Sequence, residues 1–269
     1  MHRPKTGPTL AGALFAILAW GLLSSASAPV PALPANPLGA PYLAPADMPD
    51  SLLLVPPPPA PGSAALLRDE EASRAGLALH GGPRWQIATA DADLTSPRAT
   101  GAMSCAAGFE ISPAVTPAID RLLRHMLPDL GLASRPSKMK YGRPRPFMVN
   151  GAPSCTPEAE VYLRKDGAYP SGHSTIGYGW GMVMAEIVPD RAAQLVARGR
   201  AFGDSRRICN VHWLSDTEEG RLIAPAVLAR LHSDPAFAAD LEAARAEVAT
   251  ARKTLPTRDC AAEAAALAL

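Results

Sequence analysis

The sequence predicts an all-α protein, a compact bundle of helices. Alanine and leucine, which have the strongest helix propensities, are abundant, and only 5% of the residues are aromatic. No stretch alternates between apolar and polar residues with the period of two that marks a half-buried strand. With 269 residues, of which 48% are hydrophobic, the chain is long enough for one large domain or two small ones.

The N-terminus has the pattern of an export signal. A basic start precedes an apolar run over about residues 10–23, and small residues follow. The run is shorter than the roughly 20 residues of a membrane-spanning helix, and no stop-transfer segment follows it. We predict a signal peptide over residues 1–28, cleaved between residues 26 and 35, and a periplasmic or secreted protein without stable membrane insertion. An uncleaved membrane anchor is the alternative.

Residues 29–61 form a proline-rich segment with four consecutive prolines at 56–59. Proline lacks a backbone donor and fixes an extended conformation. We therefore predict an N-terminal arm that lies outside the core.

The first predicted helices follow this segment. Ser63 is a good N-cap for a helix over 63–79, and a Gly-Gly-Pro sequence ends it. A second helix is predicted over 84–94, and a third opens at Ser112 or Thr116. The apolar residues of the third are spaced for one buried face: Ile119, Leu122, Leu123, Met126 and Leu127.

Four further helices are predicted in the C-terminal half. The first, over residues 172–188, is so rich in small and apolar residues that it should lie deep in the core. These elements predict one helical domain over 62–255 and a C-terminal tail over 256–269. The other three helices cover residues 191–202, 217–231 and 235–253.

Four cysteines, Cys105, Cys155, Cys209 and Cys260, support export. Their spacing contains no CxxC pair, which argues against a zinc ribbon or a thioredoxin-type site. In an oxidising compartment an even number of cysteines indicates two disulfides, with three possible connectivities.

A local basic cluster contrasts with the overall charge. The formal net charge of +1 argues against nucleic acid or an anionic membrane as partner. Lys138, Lys140, Arg143 and Arg145 nevertheless fall within eight residues. They repel one another unless an anion lies among them. The alternative is a solvated basic loop.

A second polar segment opens the predicted core helix. Pro170 prevents an earlier helix start, and Ser171 is a good N-cap. Free N–H groups at such a start bind anions, and Gly172 permits a close approach of the backbone. His173 then lies in the first turn, where it can hold or deliver a proton. An ordinary capped helix with a buried histidine is the alternative.

The third segment contains His212 and Asp216, four residues apart. If the span is helical, the carboxylate accepts a hydrogen bond from one ring nitrogen and leaves the other lone pair free. Arg206 offers a planar fork of donors for phosphate oxygens. A surface His–Asp pair is the alternative.

Together, two histidines, a carboxylate, several cations and an anion-binding helix start fit phosphoryl transfer without a metal. No Asp, Glu and His residues cluster at metal-ligand spacing. The sequence therefore predicts small phosphate esters as substrates and no cofactor.

The three segments resemble the signature of the type 2 phosphatidic-acid phosphatase superfamily. Their order is Lys-x6-Arg-Pro, Pro-Ser-Gly-His and Ser-Arg-x5-His-x3-Asp. Within that superfamily the chain is most similar to the class A bacterial non-specific acid phosphatases, over about residues 56–248. The signature is filled here by Lys138, Arg145, Pro146, Pro170, Ser171, Gly172, His173, Ser205, Arg206, His212 and Asp216.

The resemblance implies an acid phosphatase that forms a phosphohistidine, on the helical bundle of the acid phosphatase/vanadium haloperoxidase type. His212 would attack phosphorus, His173 would protonate the leaving alcohol and then activate water, and Asp216 would orient His212. The phosphate oxygens would be held by Lys138, Arg145, Ser171, Gly172 and Arg206.

The resemblance also implies a disulfide between Cys155 and Cys209, and we then expect one between Cys105 and Cys260. It is compatible with a homo-oligomer.

Two departures flank the predicted catalytic pair. Asn210 stands where these enzymes usually carry glycine, and Glu218 and Glu219 replace their usual residues. The added acids could alter the pKa values of the pair or the substrate range. In the basic cluster, the signature spacing selects Arg145 rather than Arg143 as the phosphate ligand.

We expect raised pKa values for both histidines. Asp216 should stabilise the imidazolium form of His212, and bound phosphate should do the same for His173. A rate maximum at about pH 5–6.5 would follow.

Three other functions share parts of this pattern. A vanadium-dependent haloperoxidase binds vanadate in the same kind of cationic site, but such proteins are generally much longer. A membrane lipid phosphatase needs several spanning helices. A catalytically inactive phosphate-binding envelope protein would keep the cations without turnover.

Overall fold

The protein is all-α, as predicted. The computed structural model describes His2 and residues 40–268, so the predicted signal peptide lies outside the described residues. Within residues 40–268 there is no β-strand, and short 3-10 helices connect some of the α-helices. The α-helices are α1 Ser51–Leu54, α2 Ala64–Leu77, α3 Pro83–Ala90, α4 Ser104–Ala107, α5 Pro117–His125, α6 Leu127–Leu132, α7 Arg135–Tyr141, α8 Pro146–Asn150, α9 Glu160–Leu163, α10 Gly172–Ile187, α11 Ala192–Ile208, α12 Leu214–Leu231, α13 Pro235–Ala251 and α14 Cys260–Leu267.

Helix α10 lies at the centre of the core, as its small and apolar residues predict. It packs against α11 along most of its length and also against α6 and α12. Gly177 and Gly199 let α10 and α11 approach closely, because a Cβ at Gly199 would clash with the carbonyl oxygen of Gly177. Trp180 is fully buried, and its indole N–H donates to the carbonyl of Leu123 at 2.7 Å.

Several helix ends differ from the predicted ones. The helix expected over 191–202 continues as α11 to Ile208, because the polar residues near its end face the protein interior rather than solvent. The helix expected from 217 begins at Leu214. The predicted third helix is interrupted at Met126, where α5 ends and α6 begins with Pro128 in its first turn.

The proline-rich segment was expected to lie outside the core, and in its described part this expectation is wrong. Leu43 and Val55 are buried in the main core. The backbone N–H of Leu43 donates to the buried Asp129 carboxylate at 2.9 Å. The hydroxyl of Tyr169 donates to the carbonyl of Pro56 at 2.6 Å. Proline limits hydrogen bonding but leaves apolar neighbours free to pack.

The predicted C-terminal tail contains α14, which packs against α3. Cys260 at its start is bonded to Cys105, and Glu263 is buried against Arg198 at 3.1 Å. The apolar pattern of residues 256–269 is too short to predict a helix, so α14 was not expected from the sequence. Among the described residues, no helix is both long enough and apolar enough to span a bilayer.

Candidate active site

The fold brings the three predicted segments together at the start of α10. Lys138 lies in α7, and Arg145 is the residue before α8. Ser171 to His173 open α10, Arg206 lies in the last turn of α11, and His212 and Asp216 flank the start of α12.

His212 is buried between the Asp216 carboxylate and the Arg145 guanidinium. Its Nδ1 lies 3.2 Å from Asp216 Oδ2, and its Nε2 lies 3.0 Å from an Arg145 guanidinium nitrogen. Arginine has donors only, so Nε2 must be the acceptor and Nδ1 must carry the hydrogen. The network therefore assigns the tautomer in which the Nε2 lone pair faces the cations.

The His212–Asp216 pair does not lie within one turn of helix, so the pairing does not depend on the helical spacing considered from the sequence. His212 precedes α12, and Trp213 is its N-cap. Asp216 lies in the first turn and accepts the backbone N–H of Trp213 at 2.8 Å. An acid at this place satisfies a free N–H and interacts favourably with the helix dipole. The same carboxylate thus holds the helix start and the histidine ring.

Arg143 is a site residue that sequence reasoning missed. Its guanidinium bridges two buried carboxylates, Asp216 at 2.6 Å and Asp69 of α2 at 2.7 Å. Asp69 in turn accepts the backbone N–H of Ser215 at 2.7 Å. The signature spacing favoured Arg145 for phosphate and gave Arg143 no role. No local pattern connects Arg143 to an acid 74 residues away.

Lys138 and Arg145 share one acidic neighbour that the sequence did not indicate. Asp166 Oδ2 lies 3.2 Å from Lys138 Nζ and 2.9 Å from an Arg145 guanidinium nitrogen. Lys138 also donates to the Gly167 carbonyl, and Arg145 Nε donates to the Asp166 carbonyl at 3.1 Å. Burial, with the charge of Arg145, lowers the pKa of Lys138 to about 8.

Arg206 is a buried cation without a carboxylate. Its side chain has no ion pair among the described residues, and its Nε is buried with no hydrogen-bond partner. One of its terminal nitrogens contacts Cys209 Sγ at 3.9 Å. Burial and the charge of Arg145 lower the pKa of Arg206 to about 9. Such a group is costly unless an anion approaches it.

The start of α10 has the predicted N-cap. Ser171 Oγ accepts the backbone N–H of Ser174 at 3.3 Å, and the backbone N–H of Ser171 donates to the Asp216 carbonyl at 2.9 Å. The second bond fixes this helix start against α12. Gly172 is tightly placed, because an added Cβ would lie 3.3 Å from Ser134 Oγ.

His173 is partly buried beside Phe202, with ring centroids 6.4 Å apart. Its Nε2 lies 3.1 Å from the carbonyl oxygen of Ala92. Because a carbonyl only accepts, Nε2 carries a hydrogen, and Nδ1 is the position for a second proton.

The pKa of His212 is lowered, whereas we expected Asp216 to raise it; the rise expected for His173 was tied to bound phosphate and stays a prediction. Burial lowers the pKa of His212 well below its usual value, and Arg145 and Lys138 lower it further. Burial, followed by the charge of Arg206, does the same to His173. Nearby cations and desolvation therefore outweigh Asp216. Burial also raises the pKa of Asp216 to about 6, against the opposing effect of Arg143.

Both expected disulfides are present, and one of them adjoins the site. Cys155 is bonded to Cys209 with a Cα–Cα distance of 4.8 Å, and Cys105 to Cys260 at 5.3 Å. The first joins the segment after α8 to the end of α11. Cysteine spacing alone left three connectivities open.

The two departures near His212 have structural roles. Asn210 has φ 62°, in the left-handed region that glycine and asparagine adopt at least cost. Its side-chain amide donates to the Ala152 carbonyl at 2.8 Å, a bond that glycine could not make. Glu218 pairs with Arg68 at the surface, and burial raises the pKa of Glu219.

Metal ligands do not cluster in the part of the chain that is described: no group of three or more His, Cys, Asp and Glu side chains there could hold an ion.

Comparisons with known proteins find relatives over most of the chain. Residues 125–238 match the PAP2 superfamily. The chain is 39% identical to an acid phosphatase of Zymomonas mobilis, over 78% of this chain and 80% of that one. It is 38% identical to a non-specific acid phosphatase of Providencia stuartii, over 76% and 83%. It is 37% identical to one of Salmonella typhimurium, over 81% and 88%.

Proposed function

Since the chain belongs to the PAP2 superfamily, and within it to the bacterial non-specific acid phosphatases, we propose that it works through a phosphohistidine on His212. Membership of this family makes the protein a phosphoric monoester hydrolase. The observation that carries the proposal is the oriented, buried imidazole. Its Nε2 lone pair is free of a proton and lies beside buried cations.

Phosphate would bind among the cations and the helix start. Arg206 has no carboxylate partner among the described residues, and Lys138 and Arg145 both donate to Asp166 Oδ2, an anionic oxygen. The Ser171 hydroxyl and the Gly172 N–H at the positive end of α10 complete the set. These groups would stabilise the charge on the phosphate oxygens as the bond to the leaving oxygen breaks.

In the first step, His212 Nε2 attacks phosphorus and the P–O bond to the leaving alcohol breaks. Its lowered pKa keeps Nε2 unprotonated at acid pH, so the nucleophile is available there. The Nδ1–H bond to Asp216 offsets the positive charge that develops on the ring.

His173 would supply the proton to the leaving alcohol. Its pKa is lowered chiefly by burial and by the cations that phosphate neutralises. Binding of the substrate would therefore raise the pKa and favour the protonated acid. In the second step the neutral ring removes a proton from water, which attacks the phosphohistidine and releases orthophosphate.

Trapping the intermediate tests this proposal. His173→Ala, given an activated aryl phosphate labelled on phosphorus, should accumulate an acid-labile phosphohistidine, because departure needs little proton transfer while hydrolysis lacks its base. His212→Ala should show neither turnover nor label. His232→Ala, a surface histidine paired with Glu186, is the matched control and should behave as wild type.

Two results would count against the mechanism. Label on Ser171, or label that persists in His212→Ala, would identify another nucleophile. Loss of wild-type activity on chelation, restored by one particular metal, would show that the metal-independent step is wrong.

Export is also part of the proposal. Two disulfides within the described residues favour an oxidising compartment. Mass spectrometry of protein released from the periplasm or the medium should give a mature N-terminus between residues 26 and 35. Recovery of uncleaved protein in membranes would indicate the anchor instead.

A further inference from the structure

The Asp166 carboxylate contacts two of the cations that are proposed to bind phosphate. One carboxylate oxygen contacts both Lys138 Nζ, at 3.2 Å, and an Arg145 guanidinium nitrogen, at 2.9 Å. The Arg145 side chain is buried and that of Lys138 is 11% exposed, whereas the Asp166 side chain is 52% exposed. An oxygen that bridges these two cations makes the contacts that a phosphate oxygen would make.

Arg206, the third cation of the site, does not pair with Asp166. Arg206 has no carboxylate partner among the described residues. Within the described part of the chain, a carboxylate therefore compensates the positive charges of Lys138 and Arg145 but not that of Arg206. This carboxylate belongs to Asp166, in the loop between α9 and α10.

The backbone of this loop has a separate task. The Asp166 carbonyl accepts from Arg145 Nε at 3.1 Å, and the Gly167 carbonyl accepts from Lys138. Gly167 also packs so tightly on the Lys138 carbonyl that a Cβ there would clash. These backbone contacts hold the cations independently of the Asp166 carboxylate, whose side chain is half exposed to solvent.

We propose that the Asp166 carboxylate is an internal competitor of phosphate. It pairs with Lys138 and Arg145 in the empty enzyme, moves out when the substrate phosphate binds, and returns as orthophosphate leaves. The assignment of these cations as phosphate ligands rests on the proposed function. The consequence is weaker binding of substrate and product, because part of the binding energy is used to displace the carboxylate.

Neutralising the carboxylate should therefore tighten phosphate binding. Half-exposed ion pairs are modest in strength, so Asp166→Asn and Asp166→Ala should each lower the Kd and Ki of orthophosphate by about three- to tenfold. KM for an aryl phosphate should fall by a similar factor, while kcat stays level or decreases as product leaves more slowly. A residue that merely positions the cations would give the opposite sign, with higher Kd, Ki and KM.

The experiment combines calorimetric titration of orthophosphate with steady-state kinetics on the full mature chain. Glu158→Gln is the matched control, since it removes the same charge from an exposed residue that lies just before α9. It should leave Kd within about twofold of wild type, because exposed charges without direct contact are screened by salt. Unchanged or weaker phosphate binding in both Asp166 variants, or equal tightening in Glu158→Gln, would overturn the proposal.

The design separates this inference from the proposed function. If the wild type hydrolyses its substrate but the Asp166 variants bind orthophosphate no more tightly, the proposal for Asp166 is refuted and the proposed function stands. Tighter orthophosphate binding in both variants, with no phosphohistidine in the trapping experiment, supports the competitor while the mechanism fails. Thermal melting of each variant checks that Asp166→Asn and Asp166→Ala are folded.

Discussion

Replacing Arg143 by methionine should destabilise the protein in a pH-dependent way. The substitution removes the cation that bridges Asp69 and Asp216, whose side chains are 2% and 0% exposed. Removing one partner of a buried ion pair costs about 3–5 kcal/mol, because a charge is left uncompensated. Both carboxylates lose the same partner here, so we expect a loss near the upper end when both are ionised.

The pH dependence follows from Asp216. Burial already raises the pKa of this carboxyl to about 6 with Arg143 present, and removal of Arg143 should raise it further. A carboxyl with a raised pKa binds more protons in the folded than in the unfolded protein, so its contribution to stability is lost as pH rises through the folded pKa. Arg143→Met should therefore cost least near pH 4–5 and most at about pH 8.

Urea unfolding at pH 5 and pH 8, with the disulfides intact, measures the difference. Arg143→Lys is the control, since it keeps the positive charge but loses the planar fork of donors that spans the two carboxylates. Addition of Asp69→Asn to Arg143→Met should recover part of the loss, because one buried charge is gone. In Arg143→Met, the acid limb of the plot of kcat against pH should also move to higher pH, following the pKa of Asp216. Equal losses at both pH values, with an unmoved acid limb, would refute this reasoning.

Three further outcomes are expected. Asp216→Asn should reduce kcat by about 10³–10⁴-fold with little change in KM, because the carboxylate fixes the tautomer of the nucleophile; a loss below tenfold would contradict that role. The double replacement of Cys155 and Cys209 by alanine opens a link with a sequence separation of 54 and should cost roughly 4 kcal/mol in urea unfolding; unchanged stability would show that the link adds nothing. Gly199→Ala should force α10 and α11 apart at the Gly177 carbonyl and cost roughly 1–3 kcal/mol, and a wild-type melting temperature would show that the contact relaxes freely.

The sequence by itself was sufficient for the local features. Ser63 and Ser171 cap their helices as their positions predict, since an N-cap depends only on the next three residues. The apolar richness of the α10 segment placed it in the core. The spacing of the signature led to the family, and through that resemblance to the Cys155–Cys209 disulfide.

Tertiary structure alone decided the features that depend on distant segments. The bridge from Asp69 to Arg143 joins residues 74 positions apart, and Asp166 reaches Lys138 across 28. Neither contact follows from periodicity or spacing, because each depends on how the helices are packed. The direction of the His212 pKa likewise required the structure. A neighbouring acid suggested a rise, but burial and three converging cations lower it, and burial is a property of the folded chain.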